Sequence, residues 1–201
     1  LNNCWRDHRY GKSILGDSTS LKRSTPSLMK LFHKRLYKPQ NLVLSLAGQL
    51  PRNILSIVDS SDFSFVEKES SFLIPDKKEK REMFNSGSLE IENKRLQLAR
   101  LFIAWPLPPA DNQLQIIGAD IAISILAEGR RSRLVNHLRE DLQIVDSIDM
   151  EITALEQGGL IILEAICQEK HLELVKKEIN FILKKSYETI IKEEELIKAN
   201  K

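Results

Sequence analysis

Residues Trp105 to Ile148, WPLPPADNQLQIIGADIAISILAEGRRSRLVNHLREDLQIVDSI, hold a strand end, a helix, a glycine break, a second helix and the approach to a second strand. Asp111 follows Pro108-Pro109 and is placed to cap a helix over 111–127, where Leu114, Ile117, Ile121, Ile125 and Leu126 recur at helical spacing. Gly129 ends that helix. Ser132 is placed to cap a second helix bearing Leu134, Val135 and Leu138, and Asp141 closes it. The alternation Ile144, Ile148, Met150, Ile152 then begins a strand, because successive strand side chains point to opposite faces.

Downstream, the runs Ile144 to Ala154 and Leu160 to Cys167 flank Gly158-Gly159, a hairpin signal whose loop is lengthened by Leu155-Glu156-Gln157. Leu172, Val175, Ile179, Ile182, Leu183, Tyr187 and Ile190 mark a long amphipathic helix, with Lys176, Lys177, Lys184 and Lys185 outside. Upstream, Leu96 to Trp105 reads as a strand with Leu96, Leu98, Phe102 and Ala104 toward one side, preceded by a shorter strand at Leu89 and Ile91. Residues 67 to 88 carry mixed charge and suit a surface connection within a domain. Leu42 to Ala47 is apolar and bounded by Gly48, as a buried strand would be. Thr25-Pro26 opens a helix with the stripe Leu28, Leu31, Phe32 and Leu36, stopped by Pro39. Pro51 opens another with Ile54, Leu55, Ile57 and Val58 inward, and residues 1 to 23 read as an irregular arm carrying Trp5 and Tyr10. Strands and helices segregate, which predicts an α+β fold: a largely antiparallel sheet with helices packed on one face.

Composition narrows the function. With 42% hydrophobic and 29% charged residues among 201, the chain is that of an ordinary globular protein. A net charge of +2 leaves no concentrated basic surface, so nucleic acid is not the expected partner. Arg130, Arg131 and Arg133 form only a local cluster, read as a solvated helix start. Cys4 and Cys167 lie far apart and outside any C-x-x-C pair, which favours a reducing compartment, the cytoplasm being the expected one. No apolar run reaches membrane-spanning length. Leu1 in place of Met, and a helical pattern running into Lys201, read as cut ends.

Three segments carry a family resemblance. The run ILAEGRRSRLVNHLREDLQIVDSI is similar to the "small-rich loop, S-R-L, then L-R-E" segment in the second half of insulinase/pitrilysin-type zinc metallopeptidases, the family that includes mitochondrial processing peptidase. Tyr10 to Gly16, followed by Leu31 to Leu44, resembles its "YG-x-x-ILG" and "FY-x-x-YY-x-P-x-N-hydrophobic strand-G" segments, and Glu193 to Ala199 its "EEEL-x-x-A-K" helix. The order and spacing agree over roughly residues 9 to 201. The resemblance implies a metallopeptidase half-domain, with 1–49 as the tail of the preceding half and 50–201 as a C-terminal-type domain truncated at its end.

The family holds zinc with H-x-x-E-H on a helix, two His and a distant Glu binding the metal while the intervening Glu activates water. This chain has neither that motif nor its inverse: none of His8, His33, His137 and His171 has its partner one helical turn away, and all four read as surface or boundary residues. The resemblance therefore implies no metal ligand and no catalytic residue in this chain, with zinc held by a catalytic peptidase half on the same or another chain. It also implies an Arg and a Tyr seven residues apart that hold and polarise the bound peptide. Arg139 falls at the Arg position, while Asp146 stands where the Tyr is expected. A carboxylate accepts and would repel a developing oxyanion. The family's glycine-rich loop reads Ala127-Glu128-Gly129-Arg130-Arg131 here, so Gly129 and Arg130 join Arg139 and Asp146 as candidate peptide contacts. The bland alternative for Arg139 is a helix-end residue paired with a nearby carboxylate. The expected role is to close the peptide-binding chamber over the catalytic half; the alternative is a scaffold member of the family that has lost proteolysis.

Overall fold

A computed structural model describes residues 2–5, 8–38, 43–61 and 84–199. These fall into two compact units, one within Arg6–Glu79 and one within Lys80–Lys201 joined by Asn3–Trp5.

In the second unit, β1 (Ala99–Leu107), β2 (Ser147–Ala154) and β3 (Gly159–Cys167) form one antiparallel sheet in the order β1-β3-β2. The hairpin forms as its glycines predict, with Ala154 opposite Gly159 across the loop 155–158. The helices are α5 (Gln113–Ala127), α6 (Leu172–Glu188) and α7 (Glu193–Ala199), together with a π-helix at Val135–Asp141. One face of the sheet presents Leu101 and Ile103 from β1, Leu163, Ala165 and Cys167 from β3, and Ile148 and Met150 from β2. Against it pack Leu134, Val135 and Leu138 of the π-helix segment and Val175, Ile179 and Ile182 of α6, forming a single core. Burying each such side chain is worth about 1.5–3 kcal/mol relative to leaving it in water. The opposite face carries Arg100, Phe102, Asp149 and Glu164; Phe102 is well exposed and Arg100 pairs with Glu164 at 3.1 Å. The fold is thus α+β with a one-sided antiparallel sheet, as the sequence predicts.

Several local expectations change. The side of β1 that packs inward is Leu101 and Ile103, the partners of the core residues Ala165 and Leu163 on β3, together with Trp105, and not the set containing Phe102 and Ala104. Leu96 is exposed and lies before the strand, and Leu89 and Ile91 are exposed and belong to no strand. Asp111 does not cap α5: the helix starts at Gln113 behind Asn112, which makes no side-chain cap bond. Leu114 and Ile117 consequently sit on an exposed first half, while Ile123, Ile125 and Ala127 are buried where α5 packs against β2 and α7. In α6, Tyr187 is exposed and Ile190 lies beyond the helix, so the apolar stripe stops burying side chains after Leu183.

In the first unit, α2 (Ser18–Arg23) replaces part of the arm expected to be irregular, because Asp17 accepts from the amides of Thr19 and Ser20 while Ser20 Oγ bonds back to Asp17. A 3-10 turn at Arg9–Gly11 and α1 (Asn2–Trp5), most of which belongs to the second unit, replace more of it. α3 (Pro26–Leu36) forms as expected, with Thr25 Oγ1 accepting from Leu28 N–H and Pro26 in the first turn, but Leu28, Leu31 and Phe32 remain exposed. Pro39 lies outside the described residues. Val43 to Ala47 is exposed and forms no strand, since no strand among the described residues of this unit offers a ladder; Leu42 lies outside them. α4 (Ile54–Asp59) half-buries only Ile54 and Val58, leaving Leu55 and Ile57 in solvent. Of the connection expected over 67 to 88, residues 67–83 lie outside the described residues and 84–88 have no regular structure.

Gly159 is required by contact. A Cβ there would stand 2.6 Å from the carbonyl oxygen of Thr153, a backbone atom held in the ladder. We therefore expect Gly159→Ala to lower stability by about 1–3 kcal/mol, the usual cost of overpacking, read as a fall in the denaturant midpoint.

Candidate functional site

The site grows from the turn that ends α5. Gly129 takes φ +77°, a left-handed conformation natural to glycine, and its carbonyl accepts both the Ser132 amide (3.2 Å) and the Ser132 hydroxyl (2.7 Å). Ser132 thus closes this turn from a buried position, while its own carbonyl accepts from Asn136 N–H; the side-chain cap expected of it is not made. Leu134, Val135 and Leu138 then anchor the following segment in the core, and the chain widens into the π-helix Val135–Asp141. Such wide turns are rare and are found preferentially at functional positions. The π-helix is followed by Gln143 at φ +52°, a strained conformation for a residue with a Cβ.

Arg139 follows the fully buried Leu138 and is half-exposed at the edge of the core. Its Nε and one terminal nitrogen donate to Glu140 Oε1 at 3.0 and 2.9 Å. The other side of the same carboxylate receives Arg130, whose terminal nitrogen donates to Oε2 at 2.7 Å. Glu140 is therefore held by two guanidiniums from opposite ends of the motif, and hydrogen bonds from Arg130 first and Arg139 second bring its carboxyl down to about 2. The turn thus places Gly129, Arg130 and Arg139 together. Asp146 is separate: it lies just before β2, its amide donates to Ile166 O at 2.8 Å, and it makes no ion pair with Arg139. Its carboxylate adds to burial in raising the pKa of Cys167, whose side chain is fully enclosed. Beside the turn runs a cleft of about 340 Å³ between α5 and β2, lined by Asp120, Ser124, Glu128, Gly129, Asp149 and Glu151 among others.

Three partners were hidden from sequence reading. Arg133 is not simply a solvated helix start: it makes a bidentate pair with Glu195 of α7, both contacts at 2.8 Å, and lies mostly buried. Glu140 stood in the L-R-E motif, but only the fold shows that it joins two arginines. His137 meets Glu178 of α6 at 2.8 Å. His8, expected at the surface, is buried and its Nδ1 accepts from Tyr10 N–H. Among the described residues, no group of three or more His, Cys, Asp or Glu is gathered as metal ligands would be. No helix there is long and apolar enough to cross a membrane.

Residues 25–201 match the family described as "Peptidase M16 inactive domain", and the chain belongs to that family. It is 28% identical over 196 residues to a protein from Rickettsia felis named "uncharacterized zinc protease", covering 97% of this chain and 46% of that one. It is 24% identical over 199 residues to a protein of the same name from Rickettsia bellii, with 98% and 46% covered. The chain thus spans about half the length of the curated relatives it matches. Its fold resembles a peptidase M16 inactive domain from Pseudomonas fluorescens (TM-score 0.74, 16% identity, 98% of this chain and 47% of that one). It also resembles a protease from Helicobacter pylori (TM-score 0.79, 18% identity, 98% and 48%).

The Arg133–Glu195 pair makes α7 sensitive to acid. Hydrogen bonding from Arg133 is the main cause that lowers the Glu195 carboxyl from its ordinary 4.5 to about 2. A depressed carboxyl stabilises the fold above its unfolded value, and that contribution is lost as pH falls from about 4.5 toward about 2. The hydrogen-exchange protection factors of α7, taken relative to the intrinsic rate at each pH, should fall across that window in the wild type. In Glu195→Gln they should already be lower at neutral pH and should change little through the window.

Proposed function

We propose that this chain is the noncatalytic portion of a zinc metalloendopeptidase and closes a peptide-binding chamber over a catalytic half on the same or another chain. The observation that carries this reading is the half-exposed Arg139, fixed from below by the buried Leu138 and oriented by Glu140. A guanidinium has five donors in a rigid fork, so the nitrogens not engaged with Glu140 are available to a peptide carbonyl. Donors fixed in advance around a reacting carbonyl stabilise the negative charge it develops, without reorganising during the reaction. Zinc, with its activated water, belongs in this reading to the catalytic half. The histidines here support that division: His137 faces Glu178, and His8 accepts a backbone amide.

Residues 1–49 are read as the tail of the preceding half and 50–201 as the C-terminal-type domain, acting in the cytoplasm on peptide substrates. Gly129 and Arg130 are assigned to the peptide-contacting turn. Asp146 cannot donate as a tyrosine would, so Arg139 acts without that partner. The same substitution favours the alternative of a scaffold member without proteolysis.

Two measurements separate these readings. In the full-length protease containing this chain, or its complex with the catalytic half, Arg139→Ala should lower kcat/KM on the order of 10²-fold, as for loss of one charge-stabilising donor. The melting temperature should hardly move, because exposed substitutions usually stay within about 0.5 kcal/mol. Loss of stability with unchanged cleavage would assign Arg139 to the scaffold. The chain alone, dialysed against zinc, should retain no stoichiometric metal and show no chelator-sensitive cleavage. Retention of both would overturn the noncatalytic assignment.

A further inference from the structure

Three guanidiniums of the turn after α5 and the segment behind it, Arg130, Arg131 and Arg139, have one ion-paired carboxylate between them among the described residues, that of Glu140. Arg133 is matched by Glu195, whereas Arg130 and Arg139 share the single carboxylate of Glu140. Arg131 is exposed and forms no ion pair among the described residues. Glu128, which accepts from Ser124 Oγ, and Asp141, which accepts from Asn136 at 3.0 Å, keep their charge but form no ion pair with Arg131. The turn itself is built by both Ser132 bonds to Gly129, so Arg130 and Arg131 are presented from a fixed backbone.

Resting on the chamber reading above, we propose that Arg130 and Arg131 are specificity-determining residues that give the protease a preference for peptides bearing a carboxylate beside the segment held by Arg139. Arg130 is oriented by Glu140 but remains largely open to solvent, so it keeps unused N–H donors. A peptide carboxylate can then be gripped by Arg130 together with the unpartnered Arg131. Guanidinium and carboxylate match in a bidentate geometry that an amide cannot reproduce with the same strength. The shared bridge also links this choice to the holding residue, because Glu140 fixes Arg130 relative to Arg139. The carboxylate could belong to an Asp or Glu side chain or to the peptide C-terminus; the same guanidiniums would take either.

The test uses the full-length protease, or the complex with its catalytic half, on matched peptides. In one set a single Glu is walked along a neutral sequence with Gln at the same position as the control; in the other the C-terminus is a free acid or an amide. At one position of either set, the acid should be cleaved with about tenfold higher kcat/KM, the size of one charge-assisted contact. That ratio should shrink as salt is raised. It should fall to about one in the Arg130→Gln/Arg131→Gln double variant and be only partly retained in Arg130→Lys/Arg131→Lys, which keeps the charges but not the bidentate fork. Whichever set shows the effect identifies the source of the carboxylate. Equal rates for acid and neutral peptides throughout, or an acid preference untouched in the double Gln variant, would overturn the inference. If Arg139→Ala still cripples cleavage in that case, only the acid preference falls; if Arg139→Ala has no effect, the chamber reading itself fails.

Discussion

β3 is the strand on which the second unit depends, because β1 and β2 are hydrogen-bonded to it and not to each other. Its Leu163, Ala165 and Cys167 are entirely enclosed and form the floor on which α6 and the π-helix rest. Backbone pairing and side-chain burial therefore converge on one nine-residue segment. Gly159, where a Cβ would collide with the Thr153 carbonyl, lies at the start of that segment. Arg139, next to Leu138, inherits this rigidity, since Leu138 is sealed in the same core.

Periodicity made this arrangement legible where both its sides are satisfied within the chain. The hairpin and the helix after it follow from alternation, Gly158-Gly159 and the spacing of Val175, Ile179 and Ile182, although the first strand starts at Ser147 and not at Ile144. Reading failed where an apolar pattern has no surface to bury against among the described residues. Val43 to Ala47, the stripe on α3 and the first half of α5 all carry core-like residues that remain exposed. Hydrophobic spacing reports which face of an element is apolar; it does not report that a partner is present. A chain that spans about half of its relatives has reason to carry such faces.

The site was half legible for a different reason. Arg139, Gly129 and Arg130 could be marked from the pattern around S-R-L and L-R-E, because neighbours in a short motif remain neighbours in space. Ion pairing over long separations leaves no such trace. Arg133 and Glu195 are 62 residues apart, and Arg130 reaches Glu140 only because the Gly129 turn folds back. The one signal in the sequence was the density of arginines on a loop with few acids, and it identified the charges without assigning their partners.

Backbone geometry bears on why Arg139 meets Arg130 at Glu140 and not the residue seven positions on. Between Arg139 and Asp146 the chain passes through the wide π-turn, in which Leu142 N–H bonds to His137 O, then through Gln143 at φ +52°. A side-chain residue in that conformation costs roughly 1–2 kcal/mol relative to ordinary backbone, so it persists only where flanking burial enforces it. Leu138 on one side and Ile144 and Val145 on the other are all buried and supply that constraint. The path from Arg139 to β2 is thus fixed by packing and not by the identity of the residue at 146. The acceptor at 146 therefore leaves the placement of Arg139 unchanged.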